Sequence, residues 1–158
     1  MFEIRSAKIK DLDDIGELWV ELINFHNSFD DRFEVPKDGK KEYVKQCKKA
    51  ISSNNYCVLI AENLLTKEIV GCIIGYIAES SPIFVEQYYG FIADISVTKK
   101  YRGQGVGTGL YSAILQWFAK RNVPSIQLNA AHRNEMSQRF WRKQGFSDYL
   151  DHLYMRLK

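Results

Sequence analysis

A glycine-dense segment, YRGQGVGTG at residues 101–109, constrains the fold more than any other part of the chain. Four glycines fall within seven residues: Gly103, Gly105, Gly107 and Gly109. The segment follows an apolar, strand-like run, YYGFIADISV at 88–97, and continues directly into LYSAILQWFAK, which favours a helix. The pattern predicts a strand-to-helix turn whose backbone is approached closely by another group.

The start of a helix suits an anion, because its first N–H groups lack intrahelical partners and the helix dipole adds positive charge. Glycines remove Cβ atoms and let a phosphate lie against the backbone. Lys99, Lys100 and Arg102 add charge nearby. The segment therefore predicts a phosphate cradle. The alternative is that the glycines serve close packing of the helix on a strand, and four of them beside a basic cluster favour the cradle.

Two other phosphate cradles fit poorly. A P-loop requires a lysine after its last glycine, and here Thr108 follows Gly107. A dinucleotide-binding fingerprint requires an acidic residue about twenty positions further on, and position 127 is Gln.

Composition limits the class of protein. The 158 residues fit one domain, 1–158, and a net charge of +3 is too small to indicate a nucleic-acid partner. Cys47, Cys57 and Cys72 form no C-x-x-C pair, so we expect reduced, packed thiols in a reducing compartment. No signal peptide or membrane-spanning run is recognisable, and no metal site is expected. These features predict a cytoplasmic protein.

Hydrophobic periodicity predicts an α/β fold with a mixed sheet, in which the unit from 88 to 131 is parallel. A helix is expected to begin near Asp11, with that residue as its cap, and a Lys-rich helix to follow with Tyr43 and Cys47 on one face. The other expected elements are strands at 2–7, 56–62, 68–79, 88–97 and 125–131, helices ending near 121 and spanning 134–144, and a final strand pair within 146–158.

Two blocks of residues carry a family resemblance. Arg102, Gly105 and Gly107 match the signature R-x-x-G-x-G/A, and a block from Asn134 through Phe140 to Gly145-Phe146 matches N-x-x-A-x-x-[FL]-Y-x-x-x-G-F. Over residues 88–146 the chain resembles the GNAT superfamily of N-acetyltransferases. The resemblance implies the acyl-CoA N-acyltransferase fold, with a mixed central sheet of six to seven strands flanked by about four helices.

The resemblance also implies the donor and the reaction. Acetyl-CoA would be the co-substrate, and a primary amine of a small molecule or peptide would attack its thioester directly. The pyrophosphate would lie on the backbone amides of residues 102–108, and the pantetheine arm would lie along the strand ending at Val97. The cofactor-binding residues implied are Ile95, Ser96, Val97, Arg102, Gly103, Gln104, Gly105, Val106, Gly107, Thr108, Asn134, Phe140 and Lys143. The N–H groups of residues 95–97 would stabilise the oxyanion.

Asp94 is the candidate general base, since it is the only acidic residue of the central strand. Strict alternation would place it on the face opposite Phe91, Ala93, Ile95 and Val97, and a bulge would change that arrangement. The alternative is a hydrogen-bonded strand residue without a catalytic role.

Trp141 stands where the superfamily usually has a tyrosine acting as general acid. Its indole N–H is a donor that cannot release a proton at working pH, so Trp141 is either part of the catalytic site or packing beside the pantetheine. The remaining candidates to protonate the thiolate are His132, Tyr89, Tyr111, Tyr149, Tyr154 and water. The missing acid also motivates a second hypothesis, a catalytically silent module that binds acyl-CoA as a sensor or regulator.

Three further features concern the acceptor side and the assembly of the protein. His26, beside Asp30, Asp31 and Glu34, belongs either to the site of a cationic acceptor or to a solvated helix end. Glu17 and Glu21 are expected to face solvent. Because dimers are frequent in the superfamily, a homodimer formed through strand edges or the C-terminal segment is an expectation as well.

Overall fold

Runs of alternating and continuous apolar residues form one five-stranded sheet in a computed structural model that describes residues 1–157. Its strands lie in chain order, with antiparallel neighbours except for the last pair, which is parallel as predicted. The strands are β1 (Phe2–Ser6), β2 (Tyr56–Asn63), β3 (Ile69–Glu79), β4 (Tyr88–Val97) and β5 (Ile126–Leu128). The helices are α1 (Leu12–Asn27), α2 (Gly39–Ile51), α3 (Val106–Ala119) and α4 (Glu135–Lys143).

The helices cover the two faces of the sheet and create two cores. On one face Leu110, Ile114 and Phe118 of α3 pack against Ile73 and Ile92. The other face is covered by α1 and α2 and contains Leu12, Ile15, Leu18, Cys47, Ala50, Val58, Ile60, Cys72 and Ile74. This three-layer arrangement, with helices on both sides of the sheet, leaves the end of β4 between α1 and α3, where the predicted site lies.

The three cysteines are free and buried, which confirms the expectation of packed, unpaired thiols. Burial raises the pKa of Cys47 and of Cys57 to about 11. These thiols are therefore protonated and unreactive at neutral pH.

The predicted strand count is too high. Residues 1–157 contain five strands rather than six to seven, and the strand pair predicted within 146–158 does not form over 146–157, while Lys158 lies outside the described residues. The strand predicted at 125–131 is shorter, Ile126–Leu128. Because β5 is only three residues long, it offers the C-terminal segment little edge with which to pair.

Asp11 lies at the start of α1, but its side chain does not cap that helix. The buried carboxylate instead accepts hydrogen bonds from the Lys8 N–H at 2.7 Å and from the Arg5 guanidinium at 2.8 and 3.0 Å. The Arg5 bonds are the main reason why the pKa of Asp11 lies below its usual value. Asp11 therefore occupies the predicted N-cap position, but the capping bond expected from its side chain is not formed.

Within the described part of the chain, no helix has both the length and the apolar character needed to cross a bilayer.

Candidate active site

The site begins where β4 and β5 stop pairing. Their parallel ladder covers three pairs and ends at Ile92 and Leu128. β5 ends there, while β4 continues to Val97 along its antiparallel ladder with β3. Apart from the Val97 carbonyl, which accepts a bond from Arg102, the backbone polar groups of residues 93–97 that point away from β3 are thus available to an extended ligand. We call the region between residues 93–97, the glycine segment and the turn 129–134 the donor cleft.

A β-bulge lies at the same point of β4. Ile74 of β3 pairs with Asp94, and the next residue, Gly75, pairs with Ile92, which leaves Ala93 as the extra residue. The bulge changes the side-chain alternation, so that Ile92 and Ile95 both pack toward α3. Strict alternation is therefore wrong for this strand.

Asp94 points toward α2 because of the bulge. Its Oδ2 accepts a hydrogen bond from the Tyr43 hydroxyl at 3.2 Å, and the ring of Tyr43 stacks on Trp19 with centroids 4.6 Å apart. Burial raises the pKa of Asp94, and the bond from Tyr43 opposes that rise. The carboxyl is thus a better proton acceptor than an exposed aspartate. The sequence gives no signal for Tyr43 beyond its place on a helix face.

Two of the four glycines adopt a left-handed backbone. Gly103 has φ +74° and Gly105 has φ +85°, and a Cβ at either position would meet no atom within 4 Å. Glycine is favoured there for the backbone conformation and not for internal packing. The turn delivers the chain into α3, whose first-turn N–H groups lack intrahelical partners.

The other two glycines differ from these. A Cβ on Gly109 would lie 2.9 Å from Ile4 Cδ1, so this glycine allows close packing of α3 on β1. A Cβ on Gly107 would lie 3.6 Å from Phe140 and 3.9 Å from Val97, which is ordinary contact. The packing interpretation therefore applies to Gly109, whereas Gly107 marks the place where α3, α4 and the end of β4 meet.

Arg102 is bound to the protein on two sides. Its Nε donates to the Val97 carbonyl at 2.8 Å, and its Nη2 donates to Glu21 Oε1 at 3.0 Å. The same Glu21 oxygen accepts the Lys99 N–H at 2.8 Å. Glu21, expected to face solvent, therefore anchors the glycine segment to α1, while Glu17 forms an ion pair with Lys40.

Asn134 is buried at the N-cap of α4, with 5% of its surface exposed. Its Oδ1 accepts the Ser137 N–H at 3.1 Å, and its Nδ2 lies 3.1 Å from His26 Nε2. His26 is half-buried and contacts the rings of Phe25, Phe29 and Phe33. Burial lowers its pKa. His26 is thus neither a solvated residue nor free for an acceptor, because it is bonded to a predicted donor-site residue.

The family comparison decides the class of this site. The model of the Acetyltransferase (GNAT) family matches residues 22–146, which is most of the chain. The chain belongs to this family. A curated relative, an uncharacterized N-acetyltransferase of Archaeoglobus fulgidus, is 28% identical over 145 residues that cover 90% of each chain. The resemblance found in the two sequence blocks is confirmed, and the protein is an N-acetyltransferase.

Solved structures agree on the fold. An aminoglycoside 6'-N-acetyltransferase of Acinetobacter baumannii has a TM-score of 0.78 at 18% identity, over 100% of this chain and 99% of that one. A protein of Clostridium acetobutylicum, described as a predicted acetyltransferase and solved with acetyl-CoA, has a TM-score of 0.79 at 21% identity, over 99% and 96%. The GNAT fold is therefore confirmed across the whole chain.

In this GNAT acetyltransferase Trp141 is a core residue. It is 5% exposed and packs edge-on against Tyr111, Phe140 and Phe146, with centroids 5.7, 4.8 and 5.3 Å away. Its donor-only N–H cannot supply a proton. The geometry favours the packing interpretation over a catalytic one.

The other predicted residues lie in different settings. His132 is exposed in the turn before α4, and Lys143 is exposed at the end of that helix. Val106 is buried and leaves only its backbone for a ligand, while Gln104 donates from Nε2 to the Lys100 carbonyl at 2.9 Å. Tyr149 and Tyr154 are exposed, Tyr111 is buried and Tyr89 is half-buried. Among residues 1–157, no cluster of three or more potential ligands resembles a metal site.

Proposed function

We propose that this GNAT enzyme transfers an acetyl group from acetyl-CoA to a primary amine of a small molecule or peptide. One observation carries the proposal. Phe140 of α4 and Val97 of β4 both lie within 4 Å of the Cβ position of Gly107, at the first turn of α3. The two sequence blocks and the end of β4 thus meet at one place, beside the first turn of α3.

The residues of the donor cleft fit coenzyme A. Gly103 and Gly105 turn the backbone without filling the space outside it, and the first-turn amides of α3 provide donors for a pyrophosphate. Lys99 and Lys100 add positive charge beside the turn. In this proposal the pantetheine arm lies along residues 95–97, and Lys143 is available to the 3'-phosphate.

When bound, acetyl-CoA supplies an activated thioester, whose C–S bond breaks as the amine nitrogen forms a C–N bond. The chain has to remove a proton from the incoming ammonium, and we assign that role to Asp94, directly or through water. Its raised pKa and its fixed orientation under Tyr43 support the assignment. Backbone N–H groups of residues 95–97 would stabilise the charge that develops on the carbonyl oxygen.

The departing thiolate has no buried side-chain acid assigned to it. Trp141 packs in the core, and a thiolate is a good leaving group, so water can supply the last proton. The lack of an assigned side-chain acid also favours a second candidate function, an acyl-CoA-binding module without turnover. The experiment below separates the two.

The acceptor side carries balanced charge. Asp30 pairs with Arg32 and Asp31 pairs with Arg156, so these two carboxylates in the segment after α1 already have cationic partners. This arrangement supports an acceptor with few positive charges rather than a polycation. The A. baumannii protein acts on an aminoglycoside antibiotic by its name, and an aminoglycoside is a polycation, so including one among the candidate amines tests this expectation.

The test combines calorimetric binding of acetyl-CoA with a thiol-release assay over a panel of small amines and peptide N-termini. Binding in the micromolar range with release of CoA thiol on at least one amine is expected. Tight binding without release on any amine, at any pH between 6 and 9, would support the silent module. Absence of binding would reject both.

We further propose a homodimer formed through the C-terminal segment. Its side chains Tyr149, Leu150, Leu153, Tyr154, Met155 and Leu157 are all more than half exposed. A run of apolar side chains so exposed is typical of an interaction surface. Light scattering should report twice the chain mass, and Leu150→Glu combined with Leu153→Glu should give a monomer. A monomeric wild-type protein would reject this proposal.

The unpaired, buried cysteines also support the cytoplasm as the protein's location. We propose as well that residues 1–158 form a single acetyltransferase domain, since the family model spans residues 22–146.

A further inference from the structure

The C-terminal half of α1 contacts both walls of the donor cleft. On one wall Glu21 Oε1 accepts from the Lys99 N–H at 2.8 Å and from Arg102 Nη2 at 3.0 Å. On the other wall His26 Nε2 lies 3.1 Å from Nδ2 of Asn134. The two anchors are five positions apart on α1, which is about 7.5 Å along the helix axis.

The direction of the His26 bond follows from its neighbours. Asn134 Oδ1 accepts the Ser137 N–H at 3.1 Å, so its amide nitrogen faces the imidazole as a donor. His26 Nδ1 lies 3.0 Å from the Leu22 carbonyl, which can only accept, so Nδ1 carries the hydrogen. Nε2 is therefore the acceptor, and the contact requires a neutral ring.

The cleft needs such anchors because its walls are not joined by a backbone ladder. The pairing of β4 with β5 ends at Ile92 and Leu128, before the bulge, the glycine segment and the turn that leads to Asn134. Arg102, held by Glu21, is also bonded to the carbonyl of Val97, so this anchor acts directly on the end of β4.

We propose that Glu21 and His26 are positioning residues that make α1 a bridge across the donor cleft and fix its width for coenzyme A. The inference rests on the proposed function, because it assumes that coenzyme A occupies this cleft. Since α1 also leads into the acceptor-side loop, the bridge links the two halves of the active site.

Paired variants separate this role from general stability. Glu21→Ala and His26→Phe remove the acceptor atoms, and Phe suits the aromatic surroundings of position 26. Glu21→Gln and His26→Gln keep an oxygen that can accept. Glu17→Ala is the matched control, because Glu17 lies one turn earlier on α1 and pairs with Lys40 of α2 instead.

The measurement is the Kd for coenzyme A by calorimetry, with thermal unfolding of each variant as the check of folding. Glu21→Ala alone or His26→Phe alone should raise the Kd for coenzyme A by about tenfold, which corresponds to ~1.4 kcal/mol. The two glutamine variants and the control should stay near the wild-type value. The double variant, Glu21→Ala with His26→Phe, should bind coenzyme A only slightly more weakly than either single variant. The loss of one anchor already allows the width of the donor cleft to change.

The pH dependence gives a second readout. Protonation of His26 would set two N–H donors against each other, so wild-type affinity should fall more steeply than that of His26→Gln as pH drops below 6.5. The charged groups around this contact are Asp30 with its partner Arg32, Arg133 bonded to the Phe29 carbonyl, and Arg102 over the Phe25 ring. The phosphates of the ligand titrate equally in both proteins, so the difference reports His26.

Single variants with unchanged Kd would overturn the bridge, and so would a double variant whose loss equals the product of the two single losses. If wild-type protein fails to bind coenzyme A, the proposed function falls together with the inference. If wild-type protein binds and the variants behave as wild type, the inference alone falls.

Discussion

Tyr43 of α2 donates its hydroxyl hydrogen to Asp94 of β4 at 3.2 Å, and this bond joins a helix to the sheet one residue after the bulge at Ala93. The stack of Tyr43 on Trp19 fixes the ring from the α1 side. The candidate base is therefore held in place by Tyr43 of α2, whose ring is fixed in turn by Trp19 of α1.

Replacing Asp94 by Asn should separate chemistry from binding. The variant keeps an oxygen for the Tyr43 hydroxyl but cannot accept a proton from the amine. We expect kcat to fall by roughly 10²–10⁴-fold with little change in the Kd for acetyl-CoA. Steady-state kinetics with calorimetry would check this, and an unchanged kcat would remove Asp94 from the mechanism.

The same substitution should stabilise the fold above acidic pH. Because burial raises the pKa of Asp94 in the folded state above 3.8, ionisation of this carboxyl costs stability as pH rises through the folded-state value. The Asn variant lacks that cost. Its free energy of unfolding, relative to wild type, should therefore increase as pH rises from about 4 and then level off. A difference that shrinks with rising pH would contradict the account.

Tyr43→Phe should shift the pH profile in one direction. The hydroxyl bond opposes the rise in the pKa of Asp94, so its removal should raise that pKa further and move the acidic limb of kcat/KM to higher pH. The stack on Trp19 can persist in Phe. A profile that keeps its acidic limb would show that Asp94 is not the titrating base.

Trp141→Phe tests the packing interpretation. The smaller ring leaves space among Tyr111, Phe140 and Phe146, and we expect a loss of about 1–3 kcal/mol in the free energy of unfolding. Urea denaturation measures this loss, and kcat should remain close to wild type at a temperature where the variant is folded. A large loss of kcat with unchanged stability would return Trp141 to the catalytic site.

The sequence predicts most elements because their signals are local. The hairpin of β2 and β3 and the limits of β4 follow from apolar runs and a polar turn, and the glycines mark the start of α3. The bulge at Ala93 could not be predicted, since one inserted residue changes pairing without changing composition. The expected strands after residue 146 fail because apolar alternation is only a local signal, whereas pairing needs an edge that β5 is too short to provide.

The site was predictable where a motif specifies backbone and less so where side chains meet across the chain. The glycine segment predicted the turn, although the structure assigns Gly109 to packing against Ile4. The contact between Glu21 and Arg102 joins residues 81 positions apart, and that between His26 and Asn134 joins residues 108 apart. No local pattern encodes such pairs. The sequence therefore predicted a solvent-facing Glu21 and left two interpretations open for His26.

The glycine segment offers the most direct test of the central claim, that coenzyme A lies on the backbone of this turn. Gly105→Asn and Gly105→Asp bear nearly the same backbone strain at φ +85°, and both side chains tolerate that conformation better than most. Only Asp places a negative charge where the pyrophosphate is proposed to bind. Calorimetry should show that the Gly105→Asp variant binds coenzyme A at least ~100-fold more weakly than the Gly105→Asn variant does, a difference of about 2.7 kcal/mol. Equal affinity of the two variants would contradict the account.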